Sequence, residues 1–138
     1  MPALQDELTV ETDLFEHREV KSHFINDCCF GEDFAAWLRD HFAHLTADGF
    51  AIGEAIQEDY GWGFWIRRDQ ESFWIALSYV GDGPTEEPAQ WVVSVSYDAG
   101  LNFVQRLFHK PDATPFSTVR DQIFVTLRAT EGIEVVEP

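Results

Sequence analysis

Three segments between residues 60 and 98, "YGWGFWIRR", "SFWIALSYV" and "QWVVSVSYD", repeat large apolar residues at every second position. A period of two is the signature of a strand, because successive side chains point to opposite faces of a sheet. Turn-forming residues separate the three, and their aromatic and β-branched content suits a pleated surface. The alternation predicts one bulky face carrying Tyr60, Trp62, Phe64, Ile66, Phe73, Ile75, Leu77, Tyr79, Trp91, Val93, Val95 and Tyr97. The reverse face carries Gly61, Gly63, Trp65, Arg67, Trp74, Ala76, Ser78, Val80, Val92, Ser94, Ser96 and Asp98. If "RDQE" forms the hairpin loop, Trp65 lies opposite Trp74 and Gly63 opposite Ala76.

A bulky face needs a second layer, and two helical patterns supply it. In "GEDFAAWLRDHFAHLTADG", Phe34, Trp37, Leu38, His41, Phe42 and Leu45 recur at spacings of three and four. Glu32 and Asp33 lie in the first turn, where the helix dipole favours negative charge, and Gly49 supplies a stop. In "TPFSTVRDQIFVTLRAT", Thr114 is the expected N-cap, Pro115 the first helical residue, and Phe116, Val119, Ile123 and Leu127 the inner stripe. Residues 53–57, "ELTVET" and "IEVVE" read as further strands, while 13–30 fits neither period. The expected fold is α+β, a single domain over 1–138, with a mostly antiparallel sheet of about 4–6 strands and two main helices on one face.

The reverse face is where function enters. A floor of glycine, alanine and serine bordered by paired tryptophans lets another backbone, helix or ring approach closely. Either a segment of the same chain, 13–30 or 101–110, covers it, or a partner or a second copy does. The segment "LNFVQRLFHKPD" poses the same choice: Leu101, Phe103, Val104, Leu107 and Phe108 either cover the sheet edge or form a contact surface, with Arg106 and Lys110 as a basic island.

Charge narrows the partner. The chain carries 25 Asp and Glu against 9 Lys and Arg, a formal charge of −16, on a composition that is 45% apolar and so belongs to a folded body. Such a field repels nucleic acid and anionic membranes and attracts basic proteins, although acidity also serves solubility alone. "MPALQDELTV" lacks a basic stretch followed by an apolar one, no run matches a membrane span, and Cys28 and Cys29 are adjacent, so the sequence predicts a cytoplasmic protein.

Patterns for chemistry are sparse. His41 and His44 stand three apart on the first helix without an HExxH pattern, and read as a core-margin and a solvent residue rather than metal ligands. Cys28 and Cys29, with His17 or His23 as base, lack a nucleophile context. The pairs Glu58 with Asp59 and Glu86 with Glu87 read as solvated acids in an acid-rich chain. There is no phosphate-binding loop and no basic groove around the aromatics. No catalytic residue, cofactor or metal is expected.

The order helix, meander, loop, helix, short strand, with Asp59, Tyr60, Gly61 and Trp62 as its local pattern, resembles small acidic bacterial proteins of unassigned function and the immunity proteins that neutralise bacterial toxins. The resemblance implies a non-catalytic inhibitor of a toxin, and the charge a basic protein partner. On the residues themselves, Glu54, Glu58, Asp59, Asp82, Glu86 and Glu87 are expected to steer that partner, and Trp65, Trp74 and Trp91 to anchor it. Two alternatives stand beside this reading: a small-molecule binding or enzymatic domain with a pocket between sheet and helices, and a housekeeping homodimer.

Overall fold

The structure is a computed structural model that describes residues 5–26, 29–68, 71–81, 83–98 and 113–136. In chain order the elements are β1 (Gln5–Thr12), α1 (Glu32–His41), a 3-10 turn (Ala43–Asp48), β2 (Ala51–Ile52), β3 (Ile56–Glu58), β4 (Gly61–Arg68), β5 (Glu71–Val80), β6 (Ala89–Asp98), α2 (Ala113–Ala129) and β7 (Ile133–Val135). They form an α+β fold around one seven-stranded sheet of order β2-β4-β5-β6-β1-β7, with β3 also paired to β4. Every described pairing is antiparallel.

Seven strands exceed the expected four to six because the edge beside β4 is broken in two. Ala51 and Ile52 pair with Arg67 and Ile66, then Ile56–Glu58 pair with Gly63–Gly61. Between these two short pieces Gly53 N–H still donates to the Trp65 carbonyl, at 2.7 Å, so the edge is held across the gap. Strand β1 inserts between β6 and β7, with Val10 opposite Trp91 on one side and Val135 on the other.

The alternation of the three central segments sets the core. Trp62, Phe64, Ile66, Phe73, Ile75, Leu77, Tyr79, Trp91, Val93 and Val95 are all buried. Trp65 opposes Trp74 and Gly63 opposes Ala76, as the hairpin register requires. The turn is tighter than "RDQE" suggested, since Arg68 and Glu71 are themselves paired, which leaves the register unchanged.

Tyr60 departs from the expected phase. It lies in the two-residue turn between Glu58 and Gly61, and its hydroxyl accepts a hydrogen bond from Trp74 Nε1, at 2.7 Å, on the reverse face. Gly61 makes this possible. Its φ of 152° turns the chain into β4, and a Cβ there would stand 2.1 Å from the Leu77 carbonyl oxygen.

The helices reach the bulky face through aromatic rings. Phe34 of α1 packs edge-on to Trp91 at 5.4 Å, and Phe116 of α2 lies 6.4 Å from Phe73. Phe116, Val119, Ile123 and Leu127 are buried, which is the inner stripe read from the sequence. Helix α2 begins at Ala113, one residue before the expected cap, within the usual spread of helix boundaries. The single helix expected over 31–49 divides: α1 stops at His41, and Phe42 N–H and Leu45 N–H donate to Arg39 and Phe42 carbonyls three residues back. That tightening lets Phe42 and Leu45 both turn into the core.

Residues 13–26 and 29–31 belong to the same layer. Phe15 stacks on Phe34 at 4.1 Å, Phe24 meets Trp62, and Phe30 meets Tyr79. The described part of 13–30 therefore packs with the bulky face; covering the reverse face is not its role. Three apolar rings spaced irregularly along a loop gave no period to read, yet each finds an aromatic partner. Residues 101–110, the other expected cover, lie outside the described residues, as does Cys28.

Candidate functional site

The reverse face is built by β-strand register. From β3 to β1 it runs Ile56, Gly63, Ala76, Ser94 and Glu7 in one row, and Trp65, Trp74, Ser96 and Gln5 in the next. Gly61, Ser78, Val92 and Thr9 form a third row, with Glu58 at its β3 end. Small residues dominate the middle, so the sheet backbone is the floor.

The aromatics form a connected group on that floor. The rings of Trp65 and Trp74 are 5.0 Å apart at 52°, and the Arg67 guanidinium sits 4.7 Å from the Trp65 ring centre. The Trp74 indole leans across Gly63 so closely that a Cβ there would stand 2.3 Å from its Cζ2. Gly63 is thus required by the tryptophan lying on it. At the far side of Trp74 the Tyr60 hydroxyl receives its N–H. Burial, partly offset by this hydrogen bond and reinforced by the Glu58 charge, raises the Tyr60 phenol above its ordinary value of 10.0. Ile56 and Tyr60 are 41% and 42% exposed, so an apolar margin remains open beside the half-buried tryptophans.

The acids expected to steer a partner divide into two groups. Glu54 and Asp59 are exposed and Glu58 is half-buried along the β3 side of the sheet. Glu86 and Glu87 are exposed in the loop joining β5 to β6, at the same end of the sheet as the Asp59 turn. Glu86 is not a free charge, since its carboxylate accepts from Arg18 Nε at 3.3 Å. Asp82 lies outside the described residues. Trp91 corrects the anchor set: it is fully buried on the bulky face against Phe34 and Tyr79, so it has no surface to offer a partner in this fold. The even spacing of Trp91 with Val93 and Val95 already placed it there.

Comparison with protein-family models, curated proteins and solved structures finds no match for this chain.

The residues weighed for chemistry are dispersed. His41 is exposed, its Nδ1–H donating to the Trp37 carbonyl at 2.8 Å, and His44 Nε2 meets Gln122 Oε1 at 3.0 Å. The Cys29 thiol is buried and donates to the Glu58 carbonyl at 3.3 Å, which braces the β3–β4 turn. Among the described residues no group of three or more His, Cys, Asp or Glu is placed to hold a metal ion, and no helix is long and apolar enough to cross a membrane. A cleft of about 440 Å³ opens beside the β5–β6 loop, lined by Glu11, Tyr79, Pro84, Thr85 and Gln90 among others; neither His41 nor a cysteine is in its lining. Sequence reasoning missed Ile56 and Tyr60 as members of the surface. An isoleucine placed opposite Gly63 on the adjacent strand was the available signal.

Proposed function

We propose that this chain is a non-catalytic interaction protein that captures a basic protein partner on the reverse face of its sheet, most concretely as an immunity or inhibitor protein. The observation that carries the reading is the joined group of Ile56, Tyr60, Trp65 and Trp74 over a floor of Gly63, Ala76 and Ser94, with Glu7 in the floor's row and Glu58 in the adjoining one. The apolar rings supply desolvated area, and the carboxylates supply complementarity to Lys and Arg. A formal charge of −16 adds long-range steering of a cationic partner. Inhibition on this reading is occlusion: the partner's basic site is covered, and no bond is made or broken.

The test is co-purification from the source cells, identification of the bound protein, and reconstitution of the pair from purified components. The expected partner is basic, binds more weakly as salt rises, and loses about 2 kcal/mol or more of affinity with Trp65→Ala or Trp74→Ala. A partner that is acidic, or binds independently of salt, or crosslinks to α1 and α2 while the tryptophan variants bind normally, would overturn the proposal. Light scattering on the free chain separates the homodimer reading, which requires a dimer at micromolar concentration.

A further inference from the structure

We propose that His17 is a doubly protonated clamp fastening the β5–β6 loop to residues 13–18, and that loss of one ring proton releases the loop. His17 is fully buried, and both ring nitrogens meet acceptors. Nδ1 lies 2.9 Å from the Thr85 carbonyl oxygen, and Nε2 lies 2.7 Å from Asp13 Oδ1. A backbone carbonyl cannot donate. Asp13 Oδ1 also takes a hydrogen bond from Arg18 Nη2 at 2.7 Å, so it too is an acceptor, held as a carboxylate by two donors. Two acceptor-only partners require two N–H groups, which only the imidazolium has.

The other charges around the ring agree with this assignment. Arg18 shares Asp13 and reaches Glu86 on the loop, through Oε2 and through the carbonyl, both at 3.3 Å. The Glu16 carboxylate accepts the Arg18 and Glu19 backbone N–H groups, and from α1 Asp33 takes the Glu16 N–H at 2.8 Å. Carboxylates thus outnumber guanidinium around the imidazolium. The loop answers with a bond of its own, Thr85 N–H to the His17 carbonyl at 3.0 Å, so residues 17 and 85 are joined twice.

Histidine is the side chain that changes charge between pH 5 and 8. When the proton leaves to solvent it leaves Nδ1, because a lone pair at Nε2 would face the Asp13 carboxylate directly. The Nδ1 lone pair then opposes the Thr85 carbonyl, and an attraction becomes a repulsion. Of the bonds between the loop and residues 13–18, only the Thr85 N–H bond and the longer Arg18 contacts remain; the Tyr79 hydroxyl still ties the base of the loop to β5 through the Gly83 carbonyl, at 2.6 Å.

Nitrogen-15 NMR of the His17 ring, together with hydrogen exchange at the Thr85 amide, tests this on the intact chain. At pH 5.5 both ring nitrogens are expected to carry protons. As pH rises, the Nδ1 proton is lost and the Thr85 protection factor falls about tenfold or more, while amides of β5 and β6 keep theirs. Asp13→Asn moves the release to lower pH, because the charge holding the second proton is gone. His17→Gln removes the pH response of Thr85 while β5 and β6 stay protected; if that variant does not fold, the titration of the unaltered chain decides. A neutral ring at pH 5.5, or Thr85 protection indifferent to the loss of the proton, overturns the clamp.

Discussion

At the scale of single residues, close approach decides what can change. Gly63 has Trp74 Cζ2 and the Ile75 carbonyl oxygen where a side chain would go, at 2.3 and 2.6 Å. Gly63→Ala is therefore expected to cost about 1–3 kcal/mol by overpacking, read as a lower denaturant midpoint, with a change in tryptophan fluorescence as Trp74 is pushed off the floor. Tyr60→Phe removes the acceptor of the Trp74 N–H and leaves the ring in place. About 1 kcal/mol is expected, again from denaturant unfolding. Asp13 carries a pH signature. Hydrogen bonds from His17 and then Arg18 hold its carboxyl below the ordinary 3.8, so the folded state favours the ionised form. Its contribution is present above the unfolded pKa and lost as pH falls through the lowered folded one. Carboxyl chemical shifts below pH 4 should place the Asp13 midpoint under that of a model peptide, and Arg18→Ala should bring it partway back.

At the scale of elements, helix α2 offers the cleanest contrast. Ile123 is fully buried, whereas Val125 is 60% exposed two residues later. Ile123→Ala is expected to cost about 2–5 kcal/mol and Val125→Ala within about 0.5 kcal/mol, both from unfolding curves; similar values would mean the helix presents a different face. Regular elements were legible in the sequence because burial imposes a period. The alternation through β4, β5 and β6 assigned the core face residue by residue, and it fixed the Trp65–Trp74 pairing. The split edge at residues 51–58 was not legible, because two and three residues are too few to show a period. Nor was the packing of Phe15, Phe24 and Phe30, which follow the shape of the layer they fill. Tyr60 was misplaced for a related reason: alternation was extended one residue past the glycine that ends it. On the candidate surface, Trp65 and Trp74 were read correctly as neighbours, and Trp91 was drawn in despite a phase that buries it.

At the scale of the whole molecule, carboxylates far outnumber the cations, and the arginines are tied to specific partners. Every arginine among the described residues is engaged: Arg18 with Asp13 and Glu86, Arg39 with the Gly53 carbonyl, Arg67 and Arg68 with aromatic rings, Arg120 with Asp6 and Asp121, Arg128 with Phe124. Self-repulsion among the remaining carboxylates is screened by salt, whose screening length falls from about 30 Å at 0.01 M to about 3 Å at 1 M. The thermal midpoint of the free chain is therefore expected to rise with sodium chloride, while affinity for a basic partner falls. Calorimetry and a binding titration on one sample read both slopes. The placement of β1 has a separate consequence. Strand β1 precedes the other six strands along the chain, yet both neighbours that satisfy its backbone, β6 and β7, come from beyond residue 88. During translation the meander can assemble hairpin by hairpin, whereas β1 must wait with its amides in water until β6 has been delivered, and β7 can be seated only on a β1 already in place.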